Sequence, residues 1–343
     1  MKIALCSTVV PFIKGGGRNI VEWLEQTLLT YGHEVDRVYI PEIDRPDLIF
    51  QQMMAFRWLD LSAADRIVCF RPQSHLIPHD HKILWFIHHI REFYDLWGGG
   101  YSFPVDAHHE AIRHELHRVD TKAISEAKAV FTNSQVVSDR LERFNDVPSE
   151  VLYPPVFQPE RFRCDDHNDS VAYICRVEHH KRQHLLIDAM RYTTSPVRLH
   201  ILGASINQGH PEWLKNRIKN AGIQEKVTYD SRWISEKEKA DVLANCLAAA
   251  YLPLDEDSYG YPSVEASHAE KALLTTTDAG GVTELVEDNY NGIVSESTPE
   301  ALAEALDRLY YDRQQTVVMG RNAKERLSQL NISWDHVVER LVA

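Results

Sequence analysis

The chain is short of positive charge. Its 343 residues carry 37 Lys and Arg against 50 Asp and Glu, a formal net charge of −13. That balance argues against a general nucleic-acid binder, whose affinity needs many cations to displace counterions. It leaves room for a local basic pocket that holds one phosphorylated ligand. Cysteine is sparse as well: Cys6, Cys69, Cys164, Cys175 and Cys246 are scattered, with no C-x-x-C pair. Such a set excludes a disulfide framework and reads as reduced thiols in a cytoplasmic protein. No apolar run approaches the ~18 residues that span a bilayer, so membrane contact is expected to be peripheral. There is no low-complexity tract and no repeat of solenoid length.

What the chain has is alternation. MKIALCSTVVPFI resembles a short signal peptide, but it runs into GGGRN without an A-x-A-like cleavage site, and a first strand is the better reading. HEVDRVY, ADRIVCF, HKILWFIH and AVFTNS follow as short apolar runs, the mark of buried parallel strands. A helix is expected near Asn19–Tyr31 and another over QVVSDRLERF. The pattern restarts with SVAYICR, VRLHILG, KVTYDS, LAAAYLPL, KALLTTTD and NGIVS as strands. Helices fall between them, one opened by Ser235 and Glu238 in a capping box and a later one by Pro299. The fold class is therefore α/β, with two Rossmann-like, doubly wound domains. The expected boundaries are 1–155, 156–330 and a closing helical segment, 331–343. In such sheets ligands bind beyond the carboxyl ends of the strands, which implies a cleft where two domains face each other.

Four constellations could carry chemistry. GGGR at 15–18 joins the first strand to the first helix, where Gly16 and Gly17 let backbone approach an anion; a plain flexible turn is the competing reading. In CRVEHHKRQHLLIDA, Arg176 ends a strand and Lys181 precedes a helix, two cations suited to a diphosphate leaving group. In DEDSYGYPSVEAS, residues 255–267, a short helix is expected with Pro262 near its first position. The free N–H groups of Tyr261 and Ser263 would receive a phosphate, Glu265 in the first turn would accept ribose hydroxyls, and Asp257 would face the other end of the ligand. In WFIHHIREFYDLW, His88 sits where a strand ends, with His89 an alternative for the same role. Asp255 and Asp257 of DED could instead hold a divalent metal. HEAIRH at 109–114 imitates a zinc signature but is one residue too long. At ~100° per residue its histidines point about 140° apart, so they cannot share a metal.

With these residues in place, the chain resembles the retaining glycosyltransferases of the GT-B fold, family 4 of glycosyltransferases, over nearly its whole length. The most specific part is DSYGYPSVE, residues 257–265, which is similar to the family's two acids with seven residues between them. Supporting pieces are the GGG loop, FTNSQ, VLYPPV, the Arg176/Lys181 pair, DAGGVTELV and SWDHVVERL. The last is similar to the segment that crosses back onto the N-terminal domain. Asp257 stands for the usual glutamate, and Cys175 where a glycine usually precedes the arginine.

The resemblance implies a hexosyltransferase that uses a nucleotide diphosphate sugar, UDP- favoured over GDP-, with a saccharide or glycolipid acceptor. Arg176 and Lys181 would neutralise the diphosphate, Glu265 would hold the ribose, Asp257 would contact the donor sugar and His88 would sit beside it. Gly16 and Gly17 would approach the donor phosphates or the acceptor. No metal and no cofactor beyond the donor itself is expected, because the cation pair replaces the metal of the single-domain GT-A fold. No carboxylate nucleophile is identifiable for a double displacement, which favours same-face attack. The N-terminal domain, rich in aromatics over 85–103, would take the acceptor. A polysaccharide or glycolipid pathway would place the protein in the cytoplasm, with weak contact to the inner leaflet, although the net negative charge lends that contact no support. An epimerase of the same fold and a non-catalytic nucleotide-sugar binder are the rival readings.

Overall fold

Strands form where the apolar runs lie. The computed structural model describes residues 1–13, 15–43, 45–207 and 209–343. The first half of the chain gives β1 (Lys2–Val9), β2 (Glu34–Pro41), β3 (Arg66–Cys69), β4 (Lys82–Phe86), β5 (Ala129–Thr132) and β6 (Glu150–Val151). They pair in parallel in the order β2-β1-β3-β4-β5-β6. The second half gives β7 (Ser170–Ile174), β8 (Arg198–Leu202), β9 (Val227–Asp230), β10 (Ala248–Ala250), β11 (Ala272–Thr276) and β12 (Gly292–Ser295). These are also all parallel, in the order β12-β11-β10-β7-β8-β9.

The chain divides into two compact units, Met1–Pro155 with Ile332–Ala343, and Val156–Asn331. In the N-terminal unit the period-2 alternation of strand side chains separates two apolar layers. Ala4, Cys6, Leu84 and Phe86 pack with the helices Ile49–Arg57, Ala107–Ser125 and Gln135–Asn145. Ile3, Leu5, Ile83 and Trp85 face the helices Gly16–Thr30 and Trp334–Val342. The late helix Trp334–Val342 contributes Val337, Val338 and Leu341 to that layer. Arg66 donates to the carbonyls of Leu341 and Ala343 at 2.6 and 2.9 Å.

Local signals account for the helix starts. Ser235 and Glu238 form the full capping box of Glu236–Asn245, and Thr298 caps the helix that Pro299 opens. The helix Ile49–Arg57 has no counterpart among the expected elements. HEAIRH is helical, with His114 80% exposed and His109 bonded to Asp106 at 2.9 Å. No helix among the described residues is long and apolar enough to cross a membrane.

Both sheets are wound alike. In each unit the first strand lies inside, the second pairs on one flank and a later one on the other: β1 sits between β2 and β3, and β7 between β8 and β10. The strand order therefore reverses at β1/β3 and at β7/β10. Open parallel sheets bind ligands beyond the carboxyl ends at such switch points. The loops that leave those strands carry GGGR and Arg71 in one unit, and Arg176–Lys181 and DEDSYG in the other.

Candidate functional site

At the C-terminal unit's switch point, Arg176 lies two residues past β7 and is half-buried. Among the described residues its guanidinium has no side-chain partner; only its carbonyl is engaged, by Gln183 Nε2 at 3.1 Å and by the Cys175 thiol at 3.2 Å. Burial pushes that thiol up to about 12, so Cys175 stays neutral. Lys181 follows in a short 3-10 turn and is buried. Its ammonium donates to the Tyr251 hydroxyl at 2.7 Å and to the Glu256 carboxylate, and lies 5.1 Å from the centre of the Tyr251 ring. Burial alone would raise the Glu256 carboxyl; Lys181 outweighs it and holds it below the usual range.

Arg182, the next residue, has a different task. Its backbone is left-handed, with φ +53°, and its buried guanidinium binds both oxygens of Asp278 at 2.7 Å. It also donates to the carbonyls of Leu252 and Pro253 at 2.9 and 2.7 Å. These bonds from Arg182 hold the Asp278 carboxyl down to about 2. Glu256 and Ala279–Gly281 then pair main chain to main chain, with Gly281 N–H donating to the Glu256 carbonyl at 2.9 Å. Gly280 is required there, because its φ is +65° and a Cβ would stand 2.4 Å from the Glu256 carbonyl oxygen. The DED loop is thereby strapped to the DAGG loop.

The helix Tyr261–His268 is capped by Gly260, whose φ of +68° brings its Cα against the Tyr251 ring. Two expectations need correction here. The helix starts at Tyr261 with Pro262 second, as expected, but Glu265 is then the fifth residue and lies past the first turn. Ser263 N–H donates to the Gly260 carbonyl at 3.1 Å and is not open to a phosphate. Its hydroxyl is instead fully buried, without a hydrogen-bond partner among the described residues. Glu265 is buried and accepts from Lys239 at 2.5 Å, and Lys239 also contacts Glu236 at 3.0 Å. Burial, opposed by Lys239, leaves the Glu265 carboxyl raised. Asp257 is half-buried in the loop between β10 and this helix.

In the N-terminal unit, Gly16 and Gly17 are the first two residues of the helix Gly16–Thr30, whose cap, Gly15, has extended backbone. First-turn amides have no intrahelical acceptor, so both point N–H groups out of the helix end. A Cβ on Gly17 would lie 3.5 Å from Arg71, which ion-pairs with Glu42 at 2.8 Å.

His88 and His89 part company. His89 is buried, donates to Asn145 Oδ1 at 2.8 Å and packs against Phe86 and Tyr94 with ring centres 4.9 and 4.2 Å away. His88 is half-buried beyond β4; its Nδ1–H donates to the His89 carbonyl at 2.7 Å, which leaves Nε2 as the acceptor. Burial, then the Arg71 charge, push His88 down to about 4, so it is neutral near pH 7. The aromatics of the same stretch are mostly core: Trp85, Phe93 and Tyr94 are at most 2% exposed. Trp97 is the exception, half-buried on a cavity of about 540 Å³ with Arg113 and His117.

Sequence reasoning passed over Glu256, Arg182, Asp278 and Lys239. Each is adjacent to a named residue or carries a charge that reads as solvated surface. Among the described residues no group of three His, Cys, Asp or Glu is placed to hold a metal ion.

The geometry has relatives. The chain is 26% identical over 185 residues to D-inositol 3-phosphate glycosyltransferase of Corynebacterium urealyticum, covering 50% of this chain and 41% of that one. It is 29% identical over 126 residues to alpha-1,3/1,6-mannosyltransferase ALG2 of Dictyostelium discoideum, covering 37% of this chain and 29% of that one. The aligned stretch thus spans less than half the length of either relative. Among solved structures, Anabaena Alr3699/HepE in complex with UDP superposes with a TM-score of 0.73 at 18% identity, covering 100% of both chains. At that identity the likeness shows the fold, which is that of GT-B glycosyltransferases. Residues 158–326, nearly all of the C-terminal unit, match the family model of Glycosyl transferases group 1.

Proposed function

We propose that the protein is a retaining glycosyltransferase of family 4 that moves a hexose from a nucleotide diphosphate sugar to a saccharide or glycolipid acceptor without a metal. The observation that carries this reading is the pair of cations at the β7/β10 switch point, a buried Lys181 and an Arg176 whose guanidinium has no side-chain partner among the described residues. A guanidinium with no side-chain partner among the described residues and a buried ammonium five residues on suit a diphosphate whose negative charge grows as the glycosidic bond breaks. Electrostatic stabilisation by the two cations supplies what Mn²⁺ or Mg²⁺ supplies elsewhere. Glu265, fixed by Lys239, accepts the ribose hydroxyls. Asp257 contacts the sugar, and His88 offers it a neutral imidazole. The acceptor hydroxyl attacks from the face the diphosphate leaves, and the departing phosphate oxygen takes its proton.

The donor is read as UDP-linked. HepE was solved with UDP, and the two relatives named above are a glycosyltransferase and a mannosyltransferase, which supports a hexose. A cytoplasmic site of action, at the inner face of the membrane, fits a glycolipid acceptor.

A thermal-shift screen against UDP, GDP, ADP and their sugar conjugates, with and without EDTA, tests the reading. A ligand bound only by the folded state raises Tm by mass action. One nucleotide, expected to be UDP, should shift Tm in the presence of EDTA and lose its effect in Arg176→Ala. A shift abolished by EDTA would sink metal independence, and no shift with any nucleotide would sink the whole reading.

A further inference from the structure

The ion pair between Lys181 and Glu256 is a contact that the proposed reaction does not use. A buried ammonium needs a counter-charge, and in this structure Glu256 provides it, with the Tyr251 hydroxyl bridging the two at 2.7 and 3.2 Å. The two partners differ in freedom. The Lys181 side chain is 8% exposed, whereas that of Glu256 is 25% exposed. The main chain of Glu256 is held on both sides, its N–H by Ala279 at 3.3 Å and its carbonyl by Gly281 at 2.9 Å. What remains free is rotation of the carboxylate about its own χ angles, toward water. The cation stays and the anion can leave.

We propose that Glu256 is a resident counter-ion, occupying the seat on Lys181 that the donor diphosphate takes and swinging off as the donor binds. The proposal rests on the reading of Lys181 as a diphosphate ligand. Two anions on one ammonium repel each other, so a donor must either displace Glu256 or bind beside an adverse charge. Apparent affinity then falls by the fraction of molecules whose Lys181 is free. The exchange also keeps the buried ammonium paired through both binding and release. A ligand without a strong anion gains nothing from Lys181, so the seat selects for the diphosphate.

Calorimetric titration of UDP into the wild type, Glu256→Gln and Glu256→Ser, with Glu178→Gln as a control, tests this. Glu178→Gln removes a like charge from the loop that carries Lys181, and the Glu178 carboxylate makes no bond to the Lys181 ammonium. The expected result is UDP binding about tenfold tighter in both Glu256 variants and changed less than about twofold in the control. Unchanged or weaker binding in the Glu256 variants would overturn the proposal, because Glu256 would then only hold Lys181 in place. Equal tightening in the control would also overturn it, as an unspecific field effect. Arg176→Ala separates the two levels. If it leaves UDP affinity unchanged, the diphosphate reading itself fails; if it weakens UDP binding while the Glu256 variants do not tighten it, only the counter-ion idea falls.

Discussion

At the scale of residues, neighbours in sequence do unlike things. Lys181 and Arg182 are both buried cations, yet one meets Glu256 and the other clamps Asp278 and two carbonyls. His88 and His89 differ in the same way, one on the strand end and one in an aromatic stack. His88→Ala is expected to lower kcat by about 100-fold while leaving the Kd for UDP unchanged, as steady-state kinetics and titration will show. His89→Ala is expected to act on stability instead, costing about 3 kcal/mol in chemical unfolding. From sequence the pair is indistinguishable, because a period-2 strand decides which ring points inward only if one knows where the strand ends. The same holds for Glu256: DED reads as a pair of candidate metal-binding aspartates around a glutamate with no task until the fold brings Lys181 against the middle one.

At the scale of elements, the strap between the DED and DAGG loops fixes the acids of the site. It depends on a backbone conformation that L side chains rarely adopt. Gly280→Ala is expected to cost about 1–3 kcal/mol in urea unfolding, because the added Cβ meets the Glu256 carbonyl. Strands and caps were legible: each apolar run of the second half became a parallel strand, and Ser235 and Glu238 close their capping box. These signals are local, set by side chains within a few residues of one another. The helix Ile49–Arg57 was not legible, lacking both a side-chain cap and an acidic first turn. The start of Tyr261–His268, with Pro262 near its first position, was legible; that Glu265 falls past the first turn and that Ser263 N–H turns back to the Gly260 carbonyl was not.

At the scale of the molecule, histidine burial sets the acid limit. His88, His89, His184 and His268 are each pushed down to about 4, by burial first in every case. The unfolded chain takes up these protons near pH 6.5 and the folded one only near 4, so stability is full above about 6.5 and is lost as pH falls toward 4. Tm should therefore fall steeply over that window, and His268→Gln, which lies outside the proposed site, should flatten the slope. Asp278, at about 2, is still charged throughout and does not contribute to the fall. The α/β class with two parallel sheets was legible at this scale, since alternating elements leave few other packings. Removing residues 332–343 strips Val337, Val338 and Leu341 from the first sheet's layer. Calorimetry should then show the N-terminal unit melting earlier, by about 5 kcal/mol of lost burial, with the other unit's transition retained.

The same helix sets an order on synthesis. The N-terminal unit leaves the ribosome first, but one face of its sheet stays only partly covered until Trp334–Val342 has emerged, after every residue of the other unit. For that interval the nascent chain displays Ile20, Leu24 and Leu28 beside a half-dressed sheet, a surface of the kind that chaperones shield and that stalled translation would leave open.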